Sequence, residues 1–300
     1  MNVKLAAHVK LFKKEIPWYL FLLPSSLAML LFTFYPLFKT LMLSMYYSRN
    51  GTLQNFVGWL NYSSILKDHK FWNALYNTVH MGFFTILINI PVAFTLACLI
   101  NSLTKGKNVF KMLYFLPNVT SIVAVTLVFK VLFYPTEAGT VNYMLSFLGI
   151  EKLGWLTDYN YSKWVVIVMG LWHNIGYSII IFIAGLQTIS QELYEAAEVD
   201  GASRFQKWYR ITIPLTKPIF TFMLIMGTIS ALERFSDVFS LGGAAGSPLR
   251  SLQTVVAYFY ENGMLAGQYG VGAAASVVIF VLILIVTTLN LWISKTKETE

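Results

Sequence analysis

Six long apolar runs, separated by polar connections, constrain this chain more than any other feature. They fall at about 18–43, 73–100, 109–133, 164–189, 215–236 and 273–293. A helix needs roughly twenty apolar residues to cross hydrocarbon, and in lipid only helices and closed barrels satisfy every backbone group. Runs of this length predict an all-α membrane protein with six transmembrane helices. Charged residues make up only 12% of the chain, about half the share of a soluble domain. The first run follows Lys4, Lys10, Lys13 and Lys14, as a secretory signal would. It is too long for a signal core and lacks a small-x-small cleavage site, so it reads as an uncleaved span. Pro24, Pro36 and Pro91 lie inside spans, where neighbouring groups must satisfy the carbonyls they free.

Orientation follows from where the basic residues sit. Lys and Arg number four in the amino-terminal segment, three in 101–111, four in 190–217 and two in the tail; seven are spread over the longer loops of the other face. The richer side is cytoplasmic. This gives a cytoplasmic segment 1–17, a transmembrane domain 18–293 and a cytoplasmic tail 294–300, with the loop 190–217 also inside. The chain is therefore expected to be a multi-pass membrane protein with both termini cytoplasmic and lipid as its surroundings. The net charge of +8 flanks apolar runs and forms no single basic stripe, so no nucleic-acid partner is expected. Cys98 is the only cysteine. No metal-ligand spacing, cofactor motif or nucleophile–base pair occurs, and Gly106-Lys107-Asn108 lacks the leading glycine and hydroxyl of a phosphate loop. The chain reads as non-catalytic, without metal or cofactor, and any ATP hydrolysis belongs to partners.

The loop 190–217 is a polar island of balanced charge. Ser190-Gln191-Glu192 opens a helix with a hydroxyl cap and an acid in the first turn. Asp200-Gly201 interrupts that helix, since glycine permits a sharp change of direction. Ser203-x-x-Gln206 has the form of a capping box for a second helix, which ends before Pro214. The island thus reads as helix, turn, helix between spans four and five. Polar groups inside spans are costly and usually face the bundle interior or a pathway. Trp172, His173, Asn174 and Tyr177 form the richest such group, with Asn118 a further candidate and Asn89 a weaker one. Aromatic rings beside hydrogen-bonding groups suit a sugar; alternatively His173 and Asn174 bind neighbouring helices together. Glu233, Arg234 and Asp237 read as a charged helix end or an outer gate. The glycine-rich segment 237–271 reads as mobile.

Glu195-Ala196-Ala197, three residues, Gly201, nine residues, Ile211, one residue, then Ile213-Pro214 resembles the EAA signature of membrane permeases in binding-protein-dependent ABC importers. Ile213 replaces the usual Leu. Phe34-Tyr35-Pro36-Leu37, Val57-Gly58-Trp59-Leu60-Asn61-Tyr62, Asn77-Thr78, Gly139-Thr140-Val141-Asn142, Trp155-Leu156 and Ala184-Gly185-Leu186-Gln187 resemble the sugar branch, the maltose-type permeases. The resemblance covers nearly the whole chain. After the fifth span it departs, with Leu241-Gly242-Gly243-Ala244-Ala245-Gly246-Ser247-Pro248 where Gly-Gly-Pro is frequent.

The resemblance implies that the island is a coupling helix inserting into an ATPase, through Glu195, Ala196, Ala197, Asp200, Gly201, Ala202, Ile211 and Pro214. It implies a carbohydrate-translocating subunit paired with a second, homologous permease as a heterodimer. Two ATP-binding cassette subunits and an extracytoplasmic sugar-binding protein complete the expected assembly. A permease for another solute class in the same family and an ion-coupled secondary transporter are the competing readings; no mid-membrane acid or inverted repeat favours the latter.

Overall fold

The computed structural model describes residues 2–49 and 52–296, so Met1 and the end of the expected tail, 297–300, lie outside the described residues. Among the described residues, five helices are long and apolar enough to cross a bilayer, and a further apolar stretch is bent. The first apolar segment is a helical rod built from Asn2–Met29, a π turn Leu30–Phe34 and Tyr35–Leu43. The π turn stands just before Pro36, whose ring would press on the carbonyl four residues back; widening the turn accommodates it. The same arrangement recurs at Trp208–Thr212 before Pro214.

The second segment, His69–Ser102, starts at Asp68, whose Oδ1 accepts from the Lys70 amide at 2.9 Å. The fourth, Tyr159–Leu186, is capped in the same way by Asp158. The fifth runs Lys217–Leu232 and resumes after a break as Ser236–Gly242, and the sixth is Tyr269–Thr296. The third differs from the straight helix 109–133 that its apolar run predicts. Lys107–Phe115 passes into a 3-10 turn at Leu116–Val119, and Ile122–Leu132 then leaves at 93°. Pro117 removes a backbone donor, and Thr120 and Ser121 turn extended between the two helices. Hydropathy cannot register such a bend, because both arms are apolar.

The second and fourth segments form the largest helix contact. They bury Ala93, Phe94, Ala97 and Ile100 against Ile179, Phe182, Ile183 and Leu186, with Met223 of the fifth. Small residues bring the backbones together. A side-chain carbon at Gly176 would overlap the Tyr114 carbonyl, one at Gly185 would overlap Ile219, and one at Gly82 would overlap Ala231. Gly272 likewise packs on Gly263.

At the end of the helices away from 190–217, a hairpin (Tyr46–Arg49 with Thr52–Phe56) and short helices Leu60–Lys67, Thr140–Ser146 and Val255–Phe259 cover the bundle. Buried asparagines close these loops. Asn61 donates to the Ser44 and Tyr46 carbonyls at 2.8 and 3.0 Å. Asn142 donates to the carbonyls of Tyr134, Thr136 and Leu153, and its Oδ1 accepts from the Leu153 amide and the Trp155 indole.

The segment 237–271, mobile by composition, is instead tightly held. Ser251, Gln253 and Thr254 are fully buried. Asn77 donates to the carbonyls of Arg250 and Gln253 at 2.8 and 3.1 Å, and Thr78 accepts from the Val255 amide. Arg250 pairs with Glu261 at 2.7 Å, and that bond holds the Glu261 carboxyl below its ordinary range. The glycines there permit close turns, as at Gly246, whose added carbon would overlap Gln253.

Asn142→Ala strips partners from three carbonyls, an amide and an indole at once. Each buried unpaired donor costs about 1–3 kcal/mol, so thermal unfolding in detergent should show a loss on the order of 3 kcal/mol. Asn160→Ala, at an exposed position, should stay within about 0.5 kcal/mol. Equal melting of the two variants would remove Asn142 as the fastening of this loop.

Candidate functional site

The island between the fourth and fifth segments forms the expected helix, turn and helix. The second helix, however, continues through Pro214 to Leu215 where the sequence predicts an end before that proline, because the π turn accommodates the ring. Ser190 Oγ accepts from the Glu192 amide at 3.3 Å and opens the helix Gln191–Val199. The helix closes in a Schellman turn: the Ala202 amide donates to Ala197 O at 2.8 Å and the Gly201 amide to Glu198 O at 3.0 Å. Gly201 stands at φ +75° with open space where a side chain would project. The capping box is complete, with Gln206 N donating to Ser203 Oγ at 3.3 Å and Ser203 N to Gln206 Oε1 at 2.7 Å. The second helix then runs Arg204–Lys207, through the π turn, to Ile213–Leu215.

The two arms differ in how they are held. Glu195, Ala196, Asp200 and Gly201 are exposed, and Ala197, Ala202 and Ile211 are half-buried. Val199 is 89% and Phe205 70% exposed, although both are apolar. The second arm is anchored: Trp208 and Ile213 pack on the core formed by the second and fourth segments, and Thr212 is buried. Tyr194 and Thr212 hydroxyls meet at 3.0 Å, and Lys207 pairs with Glu198 across the turn. The exposed first arm is mostly polar, and the bare apolar side chains Val199 and Phe205 stand on either side of the Gly201 turn.

A cavity of about 490 Å³ opens between the second to fifth segments, within the roughly 300–1,000 Å³ typical of small-molecule sites. Asn118, Asn174 and Tyr177 line it, with Thr85, Asn89 and Ser178. The fifth segment contributes Met223, Met226, Gly227, Ser230, Ala231 and Arg234, and Asp237 follows. Asn118 and Ile122 straddle the 93° bend, so the bend itself makes one wall. Arg234 Nε donates to Asp237 Oδ2 at 3.2 Å with both side chains largely buried, and Gly170 leaves room for the guanidinium. These charges cancel, so the cavity wall is close to neutral.

Trp172 and His173 stand outside that cavity. Trp172 packs on Phe129 and lines a separate apolar groove with Phe110, Leu113 and Tyr114. His173 Nε2 lies 3.2 Å from the Thr120 carbonyl at the bend. A carbonyl only accepts, so the imidazole carries its proton on Nε2 and holds the bend. Asn174 donates to Gly170 O at 2.9 Å. The lining of the fifth segment escaped the sequence reading, yet its spacing of three and four from Met223 to Arg234 places those residues on one helix face.

Glu198 is exposed, and its hydrogen bond from Lys207 lowers its pKa below the ordinary carboxylate value. A depressed value in the folded state adds stability above the unfolded value and loses it as pH falls through the folded one. Protection of amides 191–207 against hydrogen exchange, relative to the intrinsic rate at each pH, should therefore fall as the pH drops through the carboxylate range. Glu198→Gln should abolish that dependence; an unchanged profile in the variant would assign the effect elsewhere.

Comparison with known proteins agrees with this geometry. Residues 70–298 match the family of binding-protein-dependent transport system inner membrane components. The arabinooligosaccharides transport permease AraP of Bacillus subtilis (strain 168) is 34% identical, over 96% of this chain and 91% of that protein. The lactose transport permease LacF of Rhizobium radiobacter is 32% identical over 95% and 96%. A chain in the crystal structure of a bacterial ABC transporter that imports the acidic polysaccharide alginate superposes with a TM-score of 0.85 at 26% identity, covering 97% of this chain and 99% of that one. A second structure, containing alginate pentasaccharide-bound periplasmic protein, gives 0.83 at 26% identity. A helix-rich chain with this island, matched by these relatives along nearly all its length, belongs to the binding-protein-dependent transport system inner membrane component family.

Proposed function

We infer that this chain is a permease subunit of an ATP-driven importer for carbohydrate. Membership of the family and the names of the sugar-transporting relatives support the reading, and the cavity agrees with it. Tyr177 offers a ring to a sugar face, and Asn118, Asn174, Ser178 and Thr85 offer hydrogen bonds to hydroxyls. The paired Arg234 and Asp237 favour a neutral solute. In the proposed topology the chain crosses the membrane six times, the bent third segment included, with 1–17, 190–217 and 294–300 cytoplasmic. A second permease, as heterodimer partner, encloses the pathway; an extracytoplasmic binding protein delivers the sugar.

The single observation that carries the coupling role is the island's exposed first arm fixed by Gly201, with Val199 and Phe205 bare. In the proposed mechanism two ATP-binding cassette subunits receive Glu195, Ala196, Ala197, Asp200, Gly201 and Ala202, while Ile211 and Pro214 join the island to the fifth segment. Movement of the ATPases then displaces an arm packed through Trp208 and Ile213 on the bundle. That displacement reaches the cavity as a rigid-body switch between inward- and outward-open states.

Purification in mild detergent from native membranes should recover a second six-span permease and two copies of a P-loop ATPase. Recovery of a homodimer without ATPase would reject the importer reading. Gly201→Ala should cost about 1 kcal/mol of stability from the left-handed backbone alone. Gly201→Asp should leave insertion intact and lower ATP-dependent uptake by roughly tenfold, the equivalent of about 1.4 kcal/mol of docking. Since a side-chain carbon at Gly201 meets none of the described residues within 4 Å, full uptake in Gly201→Asp would remove the turn from the interface. Tyr177→Leu should lower sugar uptake about fivefold, for the loss of about 1 kcal/mol of ring contact, while the ATPase still co-purifies.

A further inference from the structure

Lys163 carries a charge that no element described so far uses. It lies one turn inside the fourth segment, at the end opposite the island, and is only 4% exposed. No carboxylate of the described residues pairs with it; the described ion pairs are Lys152–Glu137, Lys207–Glu198, Arg234–Asp237 and Arg250–Glu261. Its ammonium lies 4.8 Å from the centre of the Tyr76 ring and 4.3 Å from that of Tyr159. Asp158, the nearest acid in sequence, caps its own helix through Asn160 N at 2.7 Å. Two ring faces recover only part of the hydration that an ammonium gives up.

A second group beside it is also unsatisfied. His80, one turn beyond Tyr76, has a buried Nδ1 without a hydrogen-bond partner. Its ring is wedged against Tyr76, Phe84 and Trp164 at centroid distances of 5.7, 4.9 and 6.1 Å. The cluster is therefore basic and aromatic, with no carboxylate of the described residues on the Lys163 ammonium. Its outer wall is Tyr76, 57% exposed, and from it a stripe of exposed apolar residues, Val79, Phe83 and Leu87, runs down the second segment. Those positions are three and four apart, on one helix face. Trp164 marks headgroup depth, where interfacial aromatics sit. A ligand that suits all of this has an anionic phosphate and long hydrocarbon.

We propose that Lys163, Tyr76, Tyr159 and His80 form a binding site for the phosphodiester headgroup of an anionic phospholipid, whose acyl chain lies along Val79, Phe83 and Leu87. The site is separate from the cavity and stands whether or not the solute is a sugar. A basic pocket between membrane helices is the general form of such headgroup sites, and charge complementarity selects phosphatidylglycerol over phosphatidylcholine.

Native mass spectrometry of the chain, purified in mild detergent with its bound partners, tests this by titration with each lipid. Phosphatidylglycerol should bind at least roughly fivefold more tightly than phosphatidylcholine, as one lysine at a headgroup supplies. Lys163→Met should erase that preference and Lys163→Arg should keep it. Equal affinities for the two lipids, or an unchanged preference in Lys163→Met, overturn the site. Displacement of the lipid by millimolar inorganic phosphate would identify a free-anion site instead. A carbodiimide cross-link from Lys163 to a carboxylate of a co-purified protein would assign the charge to a protein interface. Should Lys163→Met fail to accumulate, a photoreactive phosphatidylglycerol on the unaltered protein decides: adducts within 72–87 or 159–164 support the site, and adducts confined elsewhere overturn it.

Discussion

In hydrocarbon an unpaired carbonyl has no water to turn to, and each such group costs several kcal/mol. The 93° bend in the third segment places backbone at that risk, and the rest of the structure is arranged around meeting it. The fourth segment does so at two points. His173 donates to the Thr120 carbonyl, and Gly176 lets the helix lie against the Tyr114 carbonyl without a side chain between them. A larger residue at Gly176 would push the helices apart and open the bend to lipid. Because the bend is held, Asn118 and Ile122 can form a cavity wall, so a polar cavity exists beside a lipid-facing helix.

The same rule governs the far end of the bundle, where loops turn back into the protein. Buried loop backbone needs partners as surely as backbone in lipid does. Asparagine suits the task, since one amide both donates twice and accepts twice. Asn61, Asn77 and Asn142 each serve several backbone groups from one side chain. Their positions coincide with short motifs that resemble the sugar branch of the family. Loop closure thus accounts for the asparagine in each of those motifs.

This division explains what was legible in the sequence. Local chemistry was readable: Ser190, the Ser203–Gln206 box and the Gly201 turn are decided within five or six residues, and the structure repeats each. Long apolar runs were readable because bilayer thickness alone fixes them. The bend was not, since hydropathy is blind to direction, and the roles of Trp172 and His173 depended on it. The glycine-rich segment 237–271 looked mobile because its partners, Asn73, Asn77 and Thr78, lie more than 170 residues away in sequence. The cavity face of the fifth segment lay within reach, for its spacing of three and four is visible, but small residues and methionines announce packing as readily as a pathway.

Burial is distributed unevenly over the helices that flank the island. Half of the central window of the fourth segment is buried within the chain, against 6% for the fifth and none for the first. The fourth is therefore fixed by its own neighbours, while the fifth presents its cavity face on one side and bare apolar surface on the other. The island joins these two elements, and its anchored arm leads into the fifth through Pro214 and Thr216. In the proposed mechanism a push on the exposed arm meets a helix buried within the chain upstream and one little buried within it downstream. Relative displacement in that mechanism falls at Met223, Met226, Ser230 and Arg234, which line the cavity. The proposed coupling then needs no long wire, since the lever and the gate are joined through one helix.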